Sequence, residues 1–395
     1  MKRIVIFSIL VLGIGLVGLA GALSVGQMAE KPNVSTALSQ QGAEHVETIQ
    51  ELAQAPEAKK LAKTTAYIQE KTEEFAAEVA DAPEACQSGE QQGLKFKNNC
   101  VTPSTTFLSL RPAEFAWLTF LEGHTGLERI EVRFLKAEDL DILASFPNLQ
   151  ALVLVGAEVA DYSALAEMPN LTNFAVSDRN LSDISFVRNM PRLKALEIGE
   201  TGVVDLAGLA GHPTLERLVI DKTEVTSLAP LSNIKTLKLL SANKTKIADI
   251  SPLATLTSLE ELALFDTQVA DLTPLAGLKN LRTLLVDKSR VSNLSPLSGL
   301  TNLSRLEVDR NPIEDISPLA QLTNLSWLDL RNTQVSDIGP LAEMKNLSRL
   351  NLSETPVRDL SPLASLPSLR NLDLQGANEA DTSTLTGIEG LDIKI

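Results

Sequence analysis

Leu259-Glu-Glu-Leu262-Ala-Leu264-Phe-Asp-Thr267-Gln-Val269-Ala-Asp271-Leu272-Thr-Pro274-Leu275-Ala-Gly-Leu278-Lys-Asn280 is one copy of a unit that repeats without insertion or deletion. Its leading leucine returns every 22 residues, at Leu127, Leu149, Leu171, Leu193, Leu215, Leu237, Leu259, Leu281, Leu303, Leu325, Leu347, Leu369 and Leu391. Leu262 and Leu264 alternate with outward positions, the period of a short strand with one buried face. Thr267 then turns the chain and Val269 fills the interior. The segment that follows recurs as Asp249-Ile-Ser-Pro252-Leu253, Asp315-Ile-Ser-Pro318-Leu319 and Asp359-Leu-Ser-Pro362-Leu363. It starts a short helical turn, with Ser or Thr as its cap and proline at its first position.

A unit this small cannot bury its apolar side alone, so the units must stack. The expected fold is an α/β leucine-rich-repeat solenoid: a shallow horseshoe with a parallel sheet of twelve strands on its concave face and short 3₁₀ or α turns on its convex face. A helical N-terminal region precedes it. The Asp-Leu-Ser-Pro-Leu-Ala segments and the Asn before each leading leucine (Asn280, Asn302, Asn324, Asn346) closely resemble the 22-residue repeat of the bacterial internalins. The resemblance covers Leu127 to Leu391 and implies an exported protein whose concave sheet binds another protein. No wall-sorting end and no immunoglobulin-like domain follows the repeats, so host-cell invasion is not carried over.

Aromatics are only 4% of a chain that is 44% hydrophobic, which fits a core tiled by leucine, isoleucine and valine. The net charge of -15 makes nucleic acid and anionic lipid poor partners, since both require a cationic face. The N-terminus carries Lys2 and Arg3, an apolar run from Ile4 to about Leu23, and small residues suited to cleavage after Ala22. This reads as a signal peptide or as an inner-membrane anchor through residues 4–25. Either reading exports the rest, to the periplasm or cell envelope or to the medium, and a monomer is expected.

The remaining chain is expected to divide into residues 1–26 as signal or anchor, 27–85 as a helical stalk or flap, 86–126 as an N-terminal cap, 127–390 as twelve repeats and 391–395 as a closing strand. The stalk is rich in good helix formers, with Leu61, Ile68, Phe75 and Val79 forming an apolar stripe between Pro56 and Pro83. Cys86 and Cys100, the two cysteines of the chain, are expected to form a disulfide in an oxidising compartment. Trp117 is expected in the core of the cap. Arg179 in the usual Thr position, and Ala207-Gly208 in place of Ser-Pro, mark units that drift from the pattern.

Positions 3, 5 and 7 of each unit should face the concave side. Near the C-terminus these are Arg305, Glu307 and Asp309; Trp327, Asp329 and Arg331; and Arg349, Asn351 and Ser353. Strands about 4.8 Å apart would leave Trp327 exposed between Arg305 and Arg349, a composition typical of interface hot spots; the alternative is a self-satisfied ladder in which the arginines stack on the tryptophan and pair with nearby carboxylates. Leu239, Phe265 and Leu285 form a second, apolar patch, open to a partner or covered by residues 57–82. The aspartate column (Asp205, Asp249, Asp271, Asp315, Asp337, Asp359) reads as backbone capping. His45, His124 and His212 are scattered, so neither a metal site nor a catalytic nucleophile is indicated, and no cofactor is expected. The sequence reading is thus a non-catalytic, exported protein-binding module. The alternative is a structural component of the envelope that associates through its stalk.

Overall fold

The computed structural model describes residues 83–88, 91–96, 99–138 and 140–395. Every described residue belongs to one compact unit, Asp81–Ile395. The expected export segment and nearly all of the expected stalk, including residues 57–82, lie outside the described residues. The end of the stalk is corrected: Ala85 opens a strand, Ala85–Ser88. Among the described residues no helix is long and apolar enough to cross a membrane.

Fourteen strands join in one sheet, from Phe107–Leu110 at one edge to Asp392–Lys394 at the other. Repeat strands are parallel, and Thr283 faces Arg305, Arg305 faces Trp327, and Trp327 faces Arg349. Each of these pairs lies 22 residues apart. An unbroken repeat period therefore becomes an unbroken register. Twelve repeat strands were expected, with a closing strand at 391–395, where Asp392–Lys394 pairs. The strand not expected is Phe107–Leu110, drawn from the expected cap and paired directly with Arg129–Arg133.

Each unit returns through a 3₁₀ turn such as Ser251–Thr255 or Ser317–Leu319. The expected Ser/Thr cap is not what holds it. Asp249, Asp271, Asp315 and Asp359 each accept, at 2.8 Å, the backbone N–H of the Ser or Thr two residues on. Proline stands second in the turn, where an N–H would also have lacked an intrahelical partner. The aspartate column is thus a set of backbone caps.

Within one unit Leu259, Leu262, Leu264, Val269, Leu272, Leu275 and Leu278 are at most 1% exposed. Burying each contributes roughly 1.5–3 kcal/mol before chain entropy is charged against it. The threonine turn explains why a polar residue belongs in this core. Thr223, Thr245, Thr267, Thr333 and Thr355 each donate Oγ1–H to the carbonyl three residues earlier, at 2.6–2.9 Å. Asn311 takes the place of threonine in its unit, with Nδ2 donating to the carbonyls of Val286 and Val308 at 2.8 and 3.0 Å.

The residue before each of these threonines, or before the Ser289 or Asn311 in its place, is left-handed, as at Lys222, Lys244, Asp266, Lys288, Arg310 and Asn332, with φ from 48° to 57°. That conformation aims its N–H at the next unit: Lys244 donates to Phe265 O at 2.7 Å and Lys288 to Asp309 O at 2.8 Å. The asparagines complete the ladder. Nδ2 of Asn280, Asn302, Asn324 and Asn346 reaches a carbonyl of the preceding unit at 2.8–2.9 Å.

The drifting units have their own solutions. Where Arg179 replaces threonine, buried Asp178 accepts from Val159 N, Tyr162 Oη and Asn180 N at 2.8, 2.6 and 2.9 Å. Gly208 replaces proline because a Cβ there would lie 2.4 Å from Ile184 O. At the N-terminal end, Ala85–Ser88, Gln91–Phe96 and Asn99–Val101 form an antiparallel sheet. It is closed by the Cys86–Cys100 disulfide, Cα atoms 5.7 Å apart. Trp117 is half-buried rather than fully in the core, and meets Phe96 edge-on at 5.7 Å between centroids.

Candidate functional site

Alternation along the strands turns Leu306, Leu328 and Leu350 inward and leaves Arg305, Glu307, Trp327, Asp329, Arg349 and Asn351 on the outer face of the sheet. Pairing across the rungs brings the expected residues together. The Arg305 guanidinium lies 4.1 Å from the Trp327 ring centroid and that of Arg349 lies 4.9 Å from it. The two arginines come from the rungs on either side, so Trp327 is half-buried instead of exposed as expected. Each such contact is worth about 0.5–2 kcal/mol, more as water is excluded. Arg305 also donates Nε–H to Glu307 at 2.6 Å. Arg349 stacks on the indole without a carboxylate partner among the described residues. Beside it is a shallow pocket of about 200 Å³ lined by Trp327, Asp329, Arg349, Asn351, Asp373 and Lys394 among others.

Position 7 behaves differently from positions 3 and 5. Asp309 and Ser353, expected on the surface, are 5% and 4% exposed. The strand ends at position 5, and the turn beyond it folds position 7 against the next rung. Asp309 is held there by Arg310 Nε at 2.7 Å. Arg331 remains exposed and reaches Glu354 at 2.9 Å. Asp329 accepts from the Arg331 backbone N–H at 2.9 Å and from Asn351 Nδ2 at 3.1 Å. Burial outweighs these bonds and pushes its carboxyl up to about 6.

The sequence reading missed Asp287, which precedes Asp309 by one repeat and sits beside it. It is 7% exposed and its Oδ1 has no hydrogen-bond partner. Burial, then the Asp309 carboxyl and the charges of Glu307 and Asp329, push it up to about 8. Burial beside like charges thus favours the protonated form of Asp287. The signal was present: two acids one period apart at the same position must become neighbours.

The second patch is looser. Leu239, Phe265 and Leu285 lie on three successive rungs but at different positions along them, positions 3, 7 and 5, and Leu239 stands opposite Glu261. All three are half-buried, and Lys244 Nζ stands 5.6 Å from the Phe265 ring centroid. Among the described residues no three or more His, Cys, Asp or Glu side chains are arranged to hold a metal ion.

A family model described as leucine-rich repeats, two copies, matches residues 323–365. No curated protein matches the chain. Among solved structures, an internalin (InlF) of Listeria monocytogenes is 27% identical over 75% of this chain and 89% of that one, with TM-score 0.67. Internalin C2 of the same organism is 30% identical over 46% of this chain and 81% of that one, with TM-score 0.44. A leucine-rich-repeat protein of Leptospira interrogans shares the fold at 18% identity, over 74% and 90% of the two chains, with TM-score 0.54. A register-true parallel sheet backed by 3₁₀ turns, together with the family model, defines a leucine-rich-repeat protein. Within that class, the match along most of InlF makes the chain an internalin-like member.

Proposed function

We propose that this chain is an exported, non-catalytic binding module that takes a protein partner on the outer, concave face of its sheet. The observation that carries the reading is the Arg305–Trp327–Arg349 stack. It presents an aromatic edge and an unpaired guanidinium beside a pocket on an otherwise regular surface. Aromatic and Arg anchors in partly desolvated settings dominate interface energies. The disulfide supports an oxidising location, in the cell envelope or outside it. Residues 1–26 act as a cleaved signal or retained anchor, 86–126 cap the array, 127–390 carry the repeats, and 391–395 close the sheet.

The test combines Arg305→Ala, Trp327→Ala and Arg349→Ala in the full chain, followed by crosslinking in the native envelope. Captured protein partners should be lost while the thermal transition stays cooperative. If every partner survives the triple change, the sheet face is not the binding surface. Intact-mass measurement of the native chain decides between cleaved signal and anchor.

A further inference from the structure

On the sheet face the carboxylates outnumber the cations within reach. Glu307 and Asp329 are directly opposite each other on neighbouring rungs. Asp309, on the rung of Glu307, and Asp287, on the rung before it, lie just beyond, at position 7 where each strand has ended, so the four carboxyls span three successive rungs. The surrounding cations are already engaged: Arg305 with Glu307 and Trp327, Arg310 with Asp309, Arg331 with Glu354, and Lys288 with Asp266. Asp287 makes no ion pair of its own among the described residues: Arg310 lies within reach of its charge but is bonded to Asp309, and Asp287, 7% exposed, leaves Oδ1 without a hydrogen bond. A carboxylate buried beside other carboxyls is costly, so the protonated form is favoured.

We propose that the cluster of Asp287, Glu307, Asp309 and Asp329 receives a cationic side chain, Lys or Arg, from the protein partner. The proposal rests on the sheet face being the binding surface, and it names the chemistry of the partner there. A metal ion is a poor occupant, because the carboxyl groups are not arranged as a coordination set among the described residues. An ammonium or guanidinium needs no such set. It meets the partly buried Glu307 and Asp329 on the outer face of the sheet first, with the more buried Asp287 and Asp309 beyond them.

Occupation by a cation favours the ionised form of Asp287, so binding expels the proton held in the free protein. Asp287 is pushed up to about 8 when the site is empty. Affinity should therefore rise with pH, by up to about tenfold per pH unit below that value for one displaced proton. The neighbouring indole and Arg349 give the partner a second foothold, but they do not drive this proton release.

The experiment uses the full chain and pentalysine as the probe, by calorimetry at pH 6 and pH 8 in buffers of different ionisation heat. Binding should be at least tenfold tighter at pH 8, with proton release visible as a buffer-dependent heat. Asp287→Asn combined with Asp329→Asn should weaken pentalysine at least tenfold at pH 8. Glu314→Gln combined with Glu389→Gln removes the same charge from exposed sites and should change binding less than twofold. In the unsubstituted chain, the Asp287 carboxyl carbon resonance should titrate near pH 8 and move to lower pH on adding pentalysine. Equal weakening by the two double variants, or an unmoved Asp287 titration, overturns the proposal. If those results occur while the Arg305, Trp327 and Arg349 changes still abolish partner capture, the sheet face stands and only its cation preference falls.

Discussion

The ring of Phe134 occupies the space that a side chain at residue 156 would need: a Cβ on Gly156 would lie 2.9 Å from Phe134 Cδ1. The two residues hold the same left-handed place in successive repeats, at φ 57° and 64°. Gly156→Ala should therefore cost about 1–2 kcal/mol for the backbone alone, and more for the collision. Adding Phe134→Ala should recover the collision component but not the backbone component. Urea denaturation of the two variants checks this, and equal stability of single and double variants would contradict it.

Thr245 is 5% exposed and its Oγ1 donates to Ala242 O at 2.7 Å. Thr245→Val keeps the volume and strands that carbonyl, so it should cost about 1–3 kcal/mol. Thr245→Ser keeps the bond and loses about one methyl group, near 1 kcal/mol. A valine variant as stable as the serine variant would show that the threonine column is filled for shape alone.

His212 stands in a column otherwise held by Ile234, Leu256, Leu278 and Leu300, with Nε2 3.1 Å from Met190 O. Burial holds its imidazole below the ordinary 6.5. The unfolded chain takes up a proton there first, so the stability contributed by the neutral ring is intact above about pH 6.5 and is lost as pH falls below it. His212→Leu should flatten the acid side of the stability curve. Melting temperatures of both forms from pH 7.5 to 5 measure the difference, which should widen on acidification.

Asp287 acts in the opposite sense. Its carboxyl is pushed up to about 8 in the folded chain from an ordinary 3.8. The neutral form is the one the fold favours, so its contribution is intact below about pH 4 and is lost as pH rises toward 8. Asp287→Asn keeps a neutral hydrogen-bonding group and should gain on the unsubstituted chain steadily from pH 5 to pH 8. A constant difference across that range would refute a carboxyl held neutral by burial.

Cys86 and Cys100 are 14 residues apart in sequence. Closing a loop of that length is worth about 3 kcal/mol by chain entropy. Replacing both by serine should raise amide exchange throughout Ala85–Ser88, Gln91–Phe96 and Asn99–Val101. Repeats beyond Leu171 should be unaffected, since each solenoid unit contacts only its neighbours.

Much of this structure is legible in the period. Leu259, Leu262 and Leu264 announce a strand with one buried face, and constant spacing sets Arg305, Trp327 and Arg349 side by side. The aspartate column could be read as capping because Asp249, Asp271 and Asp315 precede every turn in step. The details of the turn could not. Whether Ser251 caps or is capped depends on which N–H points at which oxygen, and that follows from backbone angles. Phe107–Leu110 was hidden for another reason: it precedes the first leading leucine, so no periodicity marks it as a rung.

Local pattern and unvarying spacing were sufficient for the solenoid, its register and the placing of Arg305, Trp327 and Arg349 on neighbouring rungs, because a fixed period translates each position directly onto its neighbour. The burial of Asp309 and Ser353, the half-burial of Trp327 and the proton held at Asp287 required the folded chain. The turn after the strand, curling over the next rung, sets the exclusion of water at Asp287, Asp309 and Ser353, while the flanking arginines set it at Trp327. Exclusion of water, rather than residue type, makes one carboxyl of this face a cap, another an ion-pair partner and a third an acid.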